Sequence, residues 1–190
     1  LDYSANARSY ESLALWNFTF MLFGDDTSVV RVAGARATAE IFQTLRIQPL
    51  LGAFFTKEQN VPGADKVVVL TQSYWKTESD EDPAVVGREI RIDGEVYTVV
   101  GVAPRRFEAF DARVKYVVPL SWNENQANPR GRYGVGLQLF GRLAPGVAAG
   151  QADAEAKMLE KTYVDASPPP VKAFVERSGM TMNVGGGQEQ

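Results

Sequence analysis

Apolar residues crowd positions 13–23, where Trp16, Phe18, Phe20 and Phe23 stand among leucines and alanines, and the run stops at Gly24-Asp25-Asp26. This pattern predicts a strand ended by a turn. Ser28 to Ala35 then reads as a second strand, paired with the first in a hairpin. Over 38–45, Ile41, Phe42 and Leu45 fall on one helical face, with Glu40 in the first turn where a carboxylate complements the helix dipole. Pro49 and Gly52 interrupt the pattern, and 56–66 is a polar loop. Val67 to Leu70 is short and wholly apolar, the mark of a strand buried on both faces. Ser73 is placed to cap a helix carrying Tyr74 and Trp75.

The sharpest local signal lies between Arg88 and Pro104. Two β-rich runs flank Asp93-Gly94, the residue pair that a type I′ turn favours. A two-residue turn sets Ile92 opposite Glu95 and Ile90 opposite Tyr97. Ile90, Tyr97 and Val99 then share one face, and Val96, Val100 and Val102 share the other with Arg91, so both faces of the second strand need cover. Val114 to Leu120 predicts a further strand, and 121–133 a polar, exposed loop around Pro129-Arg130-Gly131. Val135 to Leu143 reads as a strand, and Pro145-Gly146 as a turn. A helix is expected over 148–163, with Ala152, Ala156, Leu159 and Tyr163 on a core-facing stripe. Ser167-Pro168-Pro169-Pro170 ends it, and Val171 to Val175 reads as a last strand, continued by Met180 to Val184 before Gly185-Gly186-Gly187. The order is β-β-α, a β-rich middle, then β-α-β. It indicates an α+β chain whose middle forms an inserted second lobe.

Composition narrows the function. The 190 residues carry a net charge of −3, which offers no electrostatic footprint for nucleic acid. There is no cysteine and no histidine, which removes thiolate and imidazole metal sites, cysteine nucleophiles and any Ser-His-Asp triad. No apolar run reaches the roughly 20 residues that span a bilayer. The chain starts without methionine, in mid-pattern, and reads as part of a longer protein. Gly131, Gly134 and Gly136 precede a strand instead of opening a helix, unlike a phosphate loop. Asn17-Phe18-Thr19 fits a glycosylation sequon but sits inside the first apolar strand. The acids Glu78 to Asp82 read as a solvated helix end. Asp153 and Glu155 point to different helix faces, and Glu89 and Glu95 flank a hairpin, so no carboxylate pair suggests acid–base work. No catalytic, cofactor or metal residue is expected. Trp16 and Trp75 are core candidates. Trp122 opens the 121–133 loop, and with Asn123, Asn125, Arg130 and Arg132 it forms the candidate partner surface.

From about 13 to 165 the chain resembles the MacB-type periplasmic core domain of ABC-transporter permeases. The resemblance rests on the order of Val32-Ala33-Gly34-Ala35-Arg36, Phe42-Gln43-Thr44-Leu45 and Pro49-Leu50-Leu51-Gly52-Ala53-Phe54-Phe55. It continues through Val67-Val68-Val69-Leu70, Trp75 and Asp82-Pro83-Ala84-Val85-Val86-Gly87-Arg88. It closes with the run from Ile92 to Pro104 and with Gly141-Arg142-Leu143-Ala144-Pro145-Gly146-Val147. Arg46 stands where the family often has Gly, which suggests a different helix cap. Asp80-Glu81 replace a frequent Gly-Gly, and Ala53 a usual Arg. The resemblance implies a porter-like β-β-α / β-α-β lobe from residues 1–47 and 134–190, with 48–133 as an inserted, sabre-like lobe. It implies an extracytoplasmic domain of a bacterial inner-membrane permease, not itself an enzyme. Such a domain mechanically couples cytoplasmic ATP hydrolysis to export or release of a substrate. The implied partners are the permease's own transmembrane helices and a cytoplasmic ATPase domain or subunit. A periplasmic adaptor protein and a homodimer in the full-length transporter are also allowed. The alternative is a ligand-sensing or protein-interaction module of a membrane receptor.

The turn assignment is testable. Gly94→Val is expected to lower the melting temperature, because a type I′ turn needs positive φ there; an unchanged melting temperature would mean a turn of another type.

Overall fold

A computed structural model describes residues 6–25, 27–121 and 137–178. The expected hairpin is its frame. Strands β1 (Tyr10–Asp25) and β2 (Ser28–Ala37) pair antiparallel from Trp16↔Ala37 to Asp25↔Ser28. At the turn the Asp25 carboxylate accepts the Thr27 hydroxyl at 2.5 Å and the N–H groups of Thr27 and Ser28 at 2.9 and 3.3 Å. These donors, the hydroxyl first, hold its pKa below the usual carboxylate range.

The remaining elements follow as α1 (Glu40–Thr44), β3 (Leu51–Gly52), β4 (Val67–Thr71), α2 (Gln72–Ser79), β5 (Glu89–Ile92) and β6 (Glu95–Ala103). Then come α3 (Arg105–Glu108), β7 (Tyr116–Pro119), β8 (Gln138–Leu143), α4 (Ala149–Asp165) and α5 (Pro169–Ser178). The architecture is α+β. β2 pairs with β7 in parallel, β7 with β4 antiparallel, β4 with β6 in parallel, and β6 with β5 antiparallel. β5 then meets β1 at Phe23↔Ile92, so the pairing runs full circle through six strands. β8 lies on the other half of β1, from Tyr10 to Trp16, and β3 pairs with β6 outside the circle.

The two faces of this closed sheet have separate cores. Met21, Phe23, Val32, Val68, Leu70, Ile92, Tyr97, Val99, Val102, Tyr116 and Val118 pack together, with Trp75 and Val85. On the opposite face Trp16, Ala35, Ala37, Val69, Ala103 and Val117 pack against Ile41, Phe42, Ile47, Phe55 and Phe107. β4 is therefore buried on both sides, as its unbroken apolar run requires. The circle is tight where β2 passes β7. A Cβ on Gly34 would lie 2.3 Å from the Tyr116 ring, so only glycine lets the two strands pair there. A third, smaller cluster joins Ala7 to Ala156 and Leu159 of α4, with Tyr10, Leu13 and Tyr163 against it. This is the stripe that the helical spacing predicts.

The Asp93-Gly94 hairpin forms in the expected register, Ile92↔Glu95 and Ile90↔Tyr97, with φ of 52° at Asp93 and 79° at Gly94. Its second strand departs in one respect. The β4–β6 ladder steps from Val68↔Val99 to Val69↔Gly101, so Val100 is the extra residue of a bulge. The bulge turns Val102 to the face of Tyr97 and Val99, not that of Val96 and Val100. The expected outer cover is present over Val100, which packs against the outer core, while residues 50–53 extend the sheet beside it, with Leu50 N–H on Val102 C=O at 2.8 Å and Ala53 N–H on Val100 C=O at 2.9 Å. Val96 stays 43 % exposed.

Three further expectations are corrected. Ser73 does not cap α2. Thr71 holds the cap position, and the Ser73 N–H instead donates to the Glu108 carboxylate at 2.7 Å, while Gln72 Oε1 accepts the Arg105 N–H at 2.9 Å. The last residue of α3 thus satisfies the start of α2, and the first residue of α2 the start of α3. Val171 to Val175 is helical, within α5, because Pro169 and Pro170 occupy the first turn, where a missing N–H costs nothing. Met180 to Val184 lie outside the described residues. Arg46, expected to bring a different cap, keeps the left-handed one at φ 51°. Its N–H reaches Gln43 C=O at 2.9 Å, and Ile47 N–H reaches Phe42 C=O at 3.1 Å. That is the Schellman arrangement, completed by the packing of Ile47 with Phe42 in one cluster. Asp80 and Glu81 likewise sit at φ 47° and 59°.

Arg46→Gly is expected to raise stability by about 0.5–1 kcal/mol, since it relieves a left-handed side chain and loses only an exposed pair with Glu11. Chemical denaturation measures this; a loss of stability would show that the Arg46–Glu11 pair outweighs the backbone strain.

Candidate functional site

The residues expected to meet a partner, Trp122, Asn123, Asn125, Arg130 and Arg132, lie outside the described residues. What the structure places is the base from which their loop departs. β7 ends at Pro119, and Leu120 N–H donates to Ala37 C=O at 2.7 Å. Asn60, half-buried, reaches across this junction. Its amide nitrogen donates to the carbonyls of Ala37 and Leu120 at 3.1 and 3.2 Å, and its amide oxygen accepts the Ala39 N–H at 2.9 Å. One side chain therefore ties the ends of β2 and β7 to the start of α1. Next to it the buried Asp65 carboxylate accepts the Ser121 hydroxyl and, at 3.2 Å, the Gly63 N–H. The polar 56–66 loop, read from sequence only as a loop, is the platform on which the 121–133 segment is anchored. No spacing rule marks Asn60 or Asp65, because the partners of Asn60 are backbone atoms and the hydroxyl that Asp65 accepts, Ser121, is remote in the chain.

A second assembly lies where the first described residues meet α4. The two Glu155 oxygens accept the N–H groups of Arg8 and Ser9 at 2.9 and 2.8 Å. Desolvation raises the Glu155 pKa, but these donors outweigh it and hold the carboxyl below its ordinary range. The Asn6 amide donates to the Tyr163 hydroxyl at 3.1 Å, and Ala144 N–H donates to Ser9 C=O at 2.9 Å. The N-terminal segment is thus gripped by α4 on one side and by the end of β8 on the other. Glu155 was notable in the sequence only as half of a carboxylate pair. As expected, that pair is divided: Asp153 faces Lys157 at 2.6 Å, and Glu155 turns to the N-terminal segment.

The aromatic candidates resolve as core. Trp16 packs edge-on to Phe110 and Phe140, with centroids 5.1 and 6.3 Å away, and is 1 % exposed. Trp75 is buried, and its indole N–H donates to Asp82 C=O at 2.9 Å. Neighbouring Tyr74 has its pKa pushed up to about 12, by burial first and by Glu78 second. Glu89 and Glu95 are exposed, and Glu95 pairs with Lys66. Among the described residues no group of three or more metal-ligating side chains is assembled, and no helix is long and apolar enough to cross a membrane.

A family model of the MacB-like periplasmic core domain matches residues 5–159. The chain belongs to that family. It is therefore the periplasmic core domain of a MacB-like ABC-transporter permease, an extracytoplasmic part of an inner-membrane protein and not a catalytic domain. The fold agrees. The periplasmic region of MacB from Actinobacillus actinomycetemcomitans superposes with a TM-score of 0.63 at 15 % identity, covering 83 % of this chain and 70 % of that one. A domain of a putative permease from Porphyromonas gingivalis gives 0.60 at 13 % identity, over 84 % and 67 %. The extracellular domain of the ABC-type transporter YknZ from Gram-positive bacteria gives 0.62 at 10 % identity, over 85 % and 81 %. No curated protein matches the chain.

Asn60→Ala is expected to cost about 2 kcal/mol, from three lost hydrogen bonds of which two involve carbonyls at a strand end. Asn60→Asp is expected to cost as much, because it turns an acceptor toward Ala37 and Leu120 C=O. Equilibrium unfolding checks both; a neutral Asp variant would show that the amide donor is dispensable.

Proposed function

We propose that this domain is the mechanical relay of its permease: movement generated by ATP hydrolysis on the cytoplasmic side reaches it through transmembrane helices and drives export or release of a substrate. The observation that carries this reading is the closed six-strand circuit, with β1 running as one strand, through a register shift at Glu11, from the segment gripped by α4 to the far turn at Asp25. A strand that belongs at one end to the grip and at the other to the circuit passes a displacement on without a flexible joint. Residues 1–47 with 134–190 act as a porter-like lobe and 48–133 as the inserted sabre-like lobe. The pairings of β2 with β7 and of β1 with β5 support their moving together.

The relay's output is the 121–133 segment, which presents Trp122, Asn123, Asn125, Arg130 and Arg132 to a substrate-carrying or adaptor protein. The anchoring of Leu120 by Asn60 and of Ser121 by Asp65 supports this, since a surface that transmits force needs a fixed base. Partners of the relay are the permease's own membrane helices and its ATPase, and two copies work together in the full transporter.

In the full-length permease with its ATPase, replacing residues 122–133 by a Gly-Ser segment of equal length is expected to abolish transport while ATP hydrolysis continues. Transport that is unchanged would remove the loop from the function. Loss of ATP hydrolysis as well would show that the segment acts on the motor and not on a partner.

A further inference from the structure

We propose that Glu155 is the positioning residue of the relay: it clamps the N-terminal segment to α4, so that the two move as one input to β1. The proposal rests on the relay reading above, and its geometry is independent of it. Residues 8 and 9 precede the first ladder pair of β1, Tyr10↔Leu143, so their N–H groups have no strand partner on that side. Glu155 supplies one oxygen to each, at 2.9 and 2.8 Å. A carboxylate that accepts two backbone N–H groups makes charge-assisted hydrogen bonds, roughly twice as strong as neutral ones. Beside the clamp, Ala7 is buried against Ala156 and Leu159, one helical turn further along the stripe. Ser9 is held from behind as well, since its carbonyl accepts the Ala144 N–H at 2.9 Å.

The consequence is directional. If Glu155 releases residues 8 and 9, α4 keeps its own hydrogen bonds and β1 keeps its ladder with β8 and β2. What is lost is the charge-assisted part of their connection at the point where load enters, leaving the packing of Ala7 on α4 and the Asn6–Tyr163 bond. The buried residues of the ring's two cores group separately from Ala7, Ala156 and Leu159 of the clamp. A clamp that is separable from the fold in this way is a coupling part, not a stability part.

Amide hydrogen exchange on this chain tests the geometry. Glu155→Ala is expected to speed exchange at Arg8 and Ser9 at least about tenfold while Val69 and Val99 are unaffected. Glu155→Gln, with one acceptor oxygen left, is expected to show a smaller effect. Equal acceleration at all four amides, or none at Arg8 and Ser9, overturns the clamp. The functional arm uses the full-length transporter. Glu155→Ala is expected to hydrolyse ATP and fail to transport. An Ala7→Cys/Ala156→Cys pair is expected to cross-link and, once oxidised, to restore transport to the Glu155→Ala variant. Failure to cross-link, normal transport by Glu155→Ala, or a cross-link that blocks transport each contradicts a clamp that must stay closed. If even the unaltered permease exports nothing, the relay reading fails while the exchange result on the clamp stands.

Discussion

The structure depends on a meeting of two backbones at the Asp93-Gly94 turn. Asp93 N–H donates to Leu22 C=O at 2.8 Å, and the Asp93 carboxylate accepts the Leu22 N–H at 2.7 Å. With Phe23↔Ile92 this is, among the described residues, the seam between β5 and β1, and it turns an open sheet into a closed one. A closed sheet has no unpaired edge at that point and encloses one of its two cores. The left-handed φ of Asp93 is what allows both contacts: it swings the N–H and the side chain of the same residue toward one strand. The turn is therefore a joint as well as a reversal of direction.

From that closure the other features follow. The inner core needs Gly34 for the Tyr116 ring, a bulge at Val100 to bring Val102 inward, and Trp75 from α2 at its margin. The outer core takes α1, fastened by a Schellman cap that survives the replacement of glycine by Arg46. Conformation is set there by the burial of Ile47 against Phe42, which outweighs roughly 1 kcal/mol of left-handed strain. Left-handed backbone is kept at Arg46, Asp80 and Glu81 although none of them is glycine.

Much of this was legible in the sequence, and what was not has a physical reason. Local signals sufficed for the two hairpins, the α4 stripe and the wholly apolar β4, because each is decided by neighbours within about ten residues. The Val100 bulge was hidden, since a bulge is defined by the partner strand's register. Val171 to Val175 misled because two β-branched residues look like a strand until the preceding prolines are read as a helix start. Ser73 misled because the real acceptor for its N–H, Glu108, is supplied by another element. The candidate loop's chemistry was readable from Trp122 onward, but the anchors at its base were not: Asn60 binds backbone groups, which leave no trace in residue spacing, and Asp65 binds the hydroxyl of Ser121, remote in the chain. The order of the family's segments conveyed what no single motif did.

The central claim is that residues 1–47 and 48–133 form one mechanical body through the β1–β5 and β2–β7 seams. Native-state hydrogen exchange in increasing denaturant measures this directly. The account predicts that the amides of Met21 and Val32 and those of Val68 and Val99 open with the same free energy and the same denaturant dependence, in a single cooperative step. Two separate opening steps, divided near residues 48 and 133, would contradict it.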